Sequence, residues 1–167
     1  MEYFELFDMP ISLVVDTKAV TKKYYELSKK FHPDNFSLSD NDKQEKALAM
    51  SSKINNAKKV LSNSHKRLEY ILKQKEIIVD GEKHQLPPMF LGEMMEINET
   101  LMELEFDPNP KAKEKIKTEV SQQTAKLFED VKPYFEAEIV EINAENSKVL
   151  KDYYYKKKYL ARIEEKL

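Results

Sequence analysis

The chain contains no cysteine. It can form no disulfide, and it offers no thiolate to a zinc ion or an iron–sulfur cluster. An intracellular, reducing home fits that absence. Glycine occurs twice, at Gly81 and Gly92. A Walker A loop or a GxGxxG turn, which need several glycines close to a phosphate, therefore cannot be written in this sequence. No apolar run approaches the ~18 residues that span a bilayer. The start, Met1-Glu2-Tyr3-Phe4-Glu5, lacks the basic region of a secretory signal. A net charge of −2 gives no global field toward nucleic acid or an anionic membrane. The expectation is a cytoplasmic protein without a nucleic-acid or membrane partner.

What is present is charge and helical periodicity. Charged residues make up 35% of the 167 and hydrophobic residues 41%, which suits long exposed helices. Apolar residues recur at period 3.6 and predict an all-α fold. A short helix over 3–7 precedes Pro10. Asp16 or Thr17 caps a second helix running to Phe31, with Val20, Tyr24, Leu27 and Phe31 on one face. Pro33 stops it by fixing its own φ and pushing His32 out of the α region. A third helix follows over 41–62, with Ala47, Met50, Ile54, Ala57 and Leu61 inward. A fourth, over 64–75, carries Leu68, Ile71 and Leu72.

Glu76 to Pro88 breaks the pattern. Asp80-Gly81 reads as a turn between short β-prone pieces, and Pro87-Pro88 closes the segment. The expected division is a domain over 1–76, a linker over 77–87 and a three-helix bundle over 88–167. In the bundle, helices are expected over 88–105, over 111–142 with a kink or split at Pro133, and from the turn at Asn143 to Ser147 to the C-terminus.

His32-Pro33-Asp34 lies between two amphipathic helices. With Val20 at zero and ~100° per residue, the buried stripe of the second helix stays within about 40°. Lys22 and Lys29 fall nearly opposite it, and Lys23 and Lys30 fall on its flank. This is a basic face leading into the tripeptide. Solvated lysines and a simple helix stop would account for it equally well. The conjunction of a basic amphipathic helix, the tripeptide, a polar loop and a second long amphipathic helix is more specific. It resembles the J-domain, the module that stimulates DnaK-type chaperone ATPases. The resemblance implies that His32, Pro33 and Asp34, with Lys22, Lys23, Lys29 and Lys30, dock on such an ATPase.

Further blocks follow in order: Tyr3-Phe4-Glu5-Leu6-Phe7, Ser52-Lys53-Ile54-Asn55-Asn56-Ala57, Arg67-Leu68-Glu69-Tyr70-Ile71-Leu72 and Phe90-Leu91-Gly92-Glu93-Met94-Met95-Glu96. Over its whole length the chain resembles the HscB family, J-type co-chaperones of iron–sulfur cluster assembly. Gly92 departs from the family pattern, which has a bulky apolar residue there. The Cys-rich zinc module of some eukaryotic relatives has no counterpart in this sequence.

The helix over 88–105 is more apolar than one core stripe requires. With Phe90 at zero, Met94, Ile97, Leu101 and Leu104 stay within about 40°. Leu91, Met95 and Met102 gather instead at about 100–140°, beside Glu99 near 180° and Glu96 near 240°. Such a stripe either packs on a neighbouring helix or meets a partner. The resemblance implies the second: Leu91, Met95, Glu96, Glu99 and Tyr159 match positions that hold a scaffold protein of the IscU type, and Met102 shares their stripe.

The expected function is that of an adaptor with no enzymatic activity of its own. It stimulates an HscA- or DnaK-type ATPase through the His32 loop and delivers the scaffold to it. Iron and sulfur stay on the scaffold, and no cofactor is expected on this chain. Three other readings stand beside it. One is a general J-protein for unfolded clients. Another is a metal-dependent enzyme built on His32 and Asp34, although His65 and His84 stand isolated in sequence. The third is a nucleic-acid binder using Tyr153-Tyr154-Tyr155-Lys156-Lys157-Lys158-Tyr159 as a stacking platform.

Overall fold

The computed structural model describes residues 1–36, 40–136 and 142–167. Among them there are seven α-helices and one 3-10 turn, and no strand. The chain divides into two compact units, Met1–Glu76 with Tyr134–Glu141, and Ile77–Pro133 with Ile142–Leu167.

The first unit holds α1 (Glu2–Leu6), α2 (Thr17–Lys30), the 3-10 turn (Pro33–Phe36), α3 (Asn41–Leu61) and α4 (Ser64–Gln74). Each long helix starts on a side-chain cap that satisfies an orphan N–H. Asp16 accepts from Lys18 N at 2.8 Å, Asp40 from Lys43 N at 2.9 Å, and Asn63 from Lys66 N at 2.9 Å. α2 and α3 form a hairpin, and α1, α4 and the 3-10 turn all pack on α3. Val20, Ile54, Ala57, Leu61, Leu68, Ile71 and Leu72 are buried as their periodicity requires. A fully buried aliphatic side chain of this kind contributes roughly 1.5–3 kcal/mol. Tyr24, Phe31 and Met50 are only half-buried.

Two sequence blocks far apart meet here. The rings of Tyr3 and Tyr70 stack with centroids 4.6 Å apart, and the Tyr70 hydroxyl accepts the Tyr3 N–H at 3.2 Å. Burial pushes the Tyr70 hydroxyl above its ordinary pKa. Arg67 is buried as well. Its guanidinium donates to the Leu13 carbonyl through Nε at 3.0 Å and Nη2 at 2.7 Å, and to the Leu61 carbonyl through Nη1.

The second unit holds α5 (Pro88–Phe106), α6 (Pro110–Glu136 as far as it is described) up to Pro133, and α7 (Ala144–Glu164). Its core joins Phe90, Met94, Ile97 and Leu101 of α5 to Ile116 and Val120 of α6 and to Leu160 and Ile163 of α7. Pro88 occupies the first turn of α5, where its missing N–H has no cost. Three features differ from the sequence expectation. Of the kink or split expected at Pro133, the split does not occur: α6 continues through Pro133 to Glu136 as one helix. Its expected extension over 137–141 lies outside the described residues. Of the expected turn from Asn143 to Ser147 only Asn143 lies outside α7: it caps the helix and forms a reciprocal capping box with Asn146, so Ser147 is already helical.

The third difference is the segment over 77–87, which forms no strand and is held on α7. Glu82 pairs with Lys151 and accepts from the Tyr155 hydroxyl at 3.4 Å. His84 stacks on Tyr155, centroids 4.6 Å apart, and its Nε2 lies 3.4 Å from Asp152 Oδ1. Gly81, at φ +80°, makes the turn closed by Glu82 N–H to the Val79 carbonyl at 3.1 Å. That φ lies where a Cβ is strained, which is why glycine serves there.

Candidate functional site

α2 delivers its last turn directly into His32. The Leu27 carbonyl accepts the Phe31 N–H at 2.9 Å, and the chain then leaves the helix. The tripeptide closes on itself. His32 Nδ1 accepts the Asp34 N–H at 3.3 Å, the His32 carbonyl accepts the Asn35 N–H at 3.0 Å, and the Asn35 side chain donates to the Lys29 carbonyl at 2.8 Å. With Nδ1 as acceptor, the neutral ring carries its proton on Nε2. The side chains remain available to solvent: His32 is 57% exposed and Asp34 87%. His32 Nδ1 stands 3.4 Å from an Asp34 carboxylate oxygen. The loop thus presents a donor, an acceptor and a half-buried proline in one fixed turn.

Lys22, Lys29 and Lys30 are exposed on the helix leading to that turn. Lys23 differs. Its ammonium is 2.6 Å from Asp8 and 3.1 Å from Glu26, so it is spent within the first unit. The hydrogen bond it donates to Asp8, followed by that to Glu26, holds it above its ordinary pKa. One aromatic neighbour was missed by sequence reasoning. Tyr25 is largely exposed on α2, and Lys58 of α3 lies over its ring and that of Tyr24.

α5 separates its two stripes as its spacing requires. Phe90, Met94, Ile97 and Leu101 are buried, whereas Met95 is 59% and Met102 61% exposed. Glu96 and Glu99 are exposed, and Leu91 is half-buried. Tyr159 is not on this open face. It is half-buried against the bundle core, its ring edge-on to Phe90 with centroids 6.0 Å apart. Phe106, 87% exposed at the end of the same helix, was missed. The signal for it was its period, about 160° from Phe90.

The tyrosine–lysine run of α7 is committed to packing. Tyr153 and Tyr154 are buried, Tyr155 carries the His84 stack, and Lys156 lies 2.5 Å from Asp152. A base-stacking platform needs open rings, and those of Tyr153 and Tyr154 are buried. Among the described residues no group of three or more His, Asp or Glu side chains is placed to hold a metal ion. No helix among them is long and apolar enough to cross a membrane.

Comparison with known proteins matches both halves. Residues 3–70 match the DnaJ domain, and residues 86–167 match the HSCB C-terminal oligomerisation domain. A co-chaperone protein HscB homolog of Neisseria meningitidis is 34% identical over 135 residues, 80% of this chain and 81% of that protein. One of Vibrio vulnificus is 38% identical over 105 residues, 62% of this chain. That alignment spans 61% of the Vibrio protein's length. Among solved structures, the chaperone HscB from Vibrio cholerae superposes with a TM-score of 0.75 at 27% identity, covering 97% of this chain and 92% of that one. Human co-chaperone protein HscB does so with a TM-score of 0.65 at 28% identity, covering 99% and 82%. With the DnaJ domain and the HSCB C-terminal oligomerisation domain matched in order along the chain, and a relative 34% identical over four fifths of both proteins, the chain belongs to the HscB family.

Proposed function

We propose that the chain brings an iron–sulfur cluster scaffold of the IscU type to an HscA- or DnaK-class chaperone and switches on that chaperone's ATPase. The observation that carries the reading is the exposed His32-Pro33-Asp34 turn at the end of a lysine face. Residues 1–76 act as the J-domain, 77–87 as the connection and 88–167 as the client arm. Nε2–H of His32 and the Asp34 carboxylate offer one donor and one acceptor to the ATPase. Lys22, Lys29 and Lys30 steer an acidic surface toward them, a contribution to association rate more than to final affinity. Lys23 serves indirectly, holding α2 in place through Asp8.

On α5, Leu91, Met95 and Met102 supply apolar contact, and Glu96 and Glu99 supply the charged rim. Methionine suits such a surface because its side chain repacks easily. Tyr159 supports that face from behind through Phe90. Holding both partners on one chain makes the second encounter intramolecular, at high effective concentration. The chain itself supplies no bond-making chemistry in this scheme, and the scheme carries a cytoplasmic location with it.

The test is the steady-state ATPase rate of a purified HscA-type chaperone with this chain, with an IscU-type scaffold, and with both. The proposal expects stimulation by the chain and a further, more than additive rise with both. Stimulation without any response to the scaffold would favour a general J-protein; no stimulation would remove the adaptor function.

A further inference from the structure

We infer that the partner-binding face of α5 runs on to the C-terminal end of the helix, with Met102 and Phe106 as a second anchor, and that it accepts a folded protein surface with apolar pockets ringed by lysine or arginine. The inference rests on reading α5 as the client arm and names what that client must carry.

Position comes first. With Phe90 at zero, Leu91, Met95, Met102 and Phe106 fall at about 100°, 140°, 120° and 160°, a single stripe along the helix. Fifteen residues at ~1.5 Å each make it about 22 Å long. The exposed apolar area grows toward its end, from half-buried Leu91 through Met95 and Met102 to Phe106 at 87%. The other end is thin. Gly92 lies at about 200° on the same outward side, and a Cβ built there meets nothing within 4 Å. The apolar surface missing at Gly92 is present two to four turns further on. An exposed aromatic ring is a strong anchor, because it buries a large area for two rotatable bonds.

Charge defines the occupant. α5 carries five glutamates, Glu93, Glu96, Glu99, Glu103 and Glu105, and no lysine or arginine. Glu96, Glu99 and Glu103 are exposed and line one side of the stripe at about 180–240°. The C-terminal end of the helix dipole adds negative potential near Phe106. A complementary surface is therefore cationic around apolar pockets. The same face on a second copy would set glutamate against glutamate.

The experiment uses the full chain and a purified IscU-type scaffold as probe, with affinity, melting temperature, sedimentation and chaperone stimulation read on the same samples. Phe106→Ala is expected to raise the Kd about tenfold or more, to melt like the wild type because the ring fills no cavity, and to stimulate the chaperone normally without scaffold. Wild-type affinity is expected to fall as salt rises. Leu91→Ala with Met95→Ala is the companion variant. If it loses binding while Phe106→Ala binds within twofold of wild type, the extension is overturned and the client arm stands. If neither variant affects a wild type that binds, or the wild type does not bind, the client reading fails and takes the inference with it. If the wild type self-associates and Phe106→Ala releases monomers, the occupant is a second copy and the cationic partner is overturned.

Discussion

Lys23 and Asp8 form an ion pair 2.6 Å long that fastens α2 to the residue where the chain leaves α1 at φ 51°. It separates two kinds of lysine on one helix. Lys22 and Lys29 point to solvent, and Lys23 does not.

Reversing Lys22 and Lys29 together to glutamate is therefore expected to leave the melting temperature unchanged and to slow association with the chaperone, most visibly at low salt. Lys23→Ala is expected to do the converse and lower the melting temperature. The sign with pH follows from its raised pKa. Its contribution is present below the ordinary lysine pKa and is lost as pH rises through the value in the folded protein. Stopped-flow association and thermal melts on the two variants check this. A double reversal that associates at the wild-type rate takes α2 out of the interface.

Arg67→Ala should destabilise the first unit far more than any surface lysine change. It removes the donors of the Leu13 and Leu61 carbonyls and opens a cavity beside α4. Losing hydrogen bonds from a buried charged group costs about 2–4 kcal/mol in sum. Burial already lowers the pKa of this guanidinium, but it stays charged at any ordinary pH, so the loss should not depend on pH between neutral and mildly alkaline conditions. Urea unfolding followed by the tyrosines measures it. A shift under about 1 kcal/mol contradicts the assignment.

Glu82 reports on the segment over 77–87. Its hydrogen bond from Lys151, with a second from the Val79 N–H, holds its carboxyl below the ordinary glutamate pKa. A depressed pKa means that the contribution is present above the unfolded value and is lost as pH falls through the folded one. Amide exchange at Val79 and Glu82 is expected to quicken, relative to the intrinsic rate, as the pH is lowered into that range. Lys151→Ala should return the Glu82 midpoint, followed by carboxyl NMR, to the ordinary range. An unmoved midpoint would show that the pair does not hold the segment.

Much of this was legible in sequence where the cause is local. Asp16 and Pro88 start helices by rules that act over three residues, and Pro33 ends α2 through its own ring. The two stripes of α5 follow from its period alone. What escaped depends on residues distant in sequence. Asp8 captures Lys23, Asp152 and Tyr155 capture the apparently isolated His84, and Leu13 turns Arg67 from a family signature into an internal clamp. Tyr159 matches a client-contact position in sequence, and its edge-on contact with Phe90 depends on a residue far away along the chain. Asn143 looked like the start of a broad turn because the bond its N–H donates to the Asn146 side chain is a matter of rotamer, not of composition. Phe106 was missed for a smaller reason: the helix was ended one residue too early.

The central claim is that His32 acts on a partner and not on this fold. His32→Gln tests it most directly, with ATPase stimulation of an HscA-type chaperone and thermal melting read on the same protein. The ring is more than half exposed and the hydrogen bond it accepts from the Asp34 N–H is long, so the variant should melt like the wild type. Glutamine fills similar space but lacks the imidazole whose Nε2–H is offered outward. The account predicts a normally folded protein with stimulation abolished. A variant that folds normally and stimulates the chaperone as well as the wild type would contradict it.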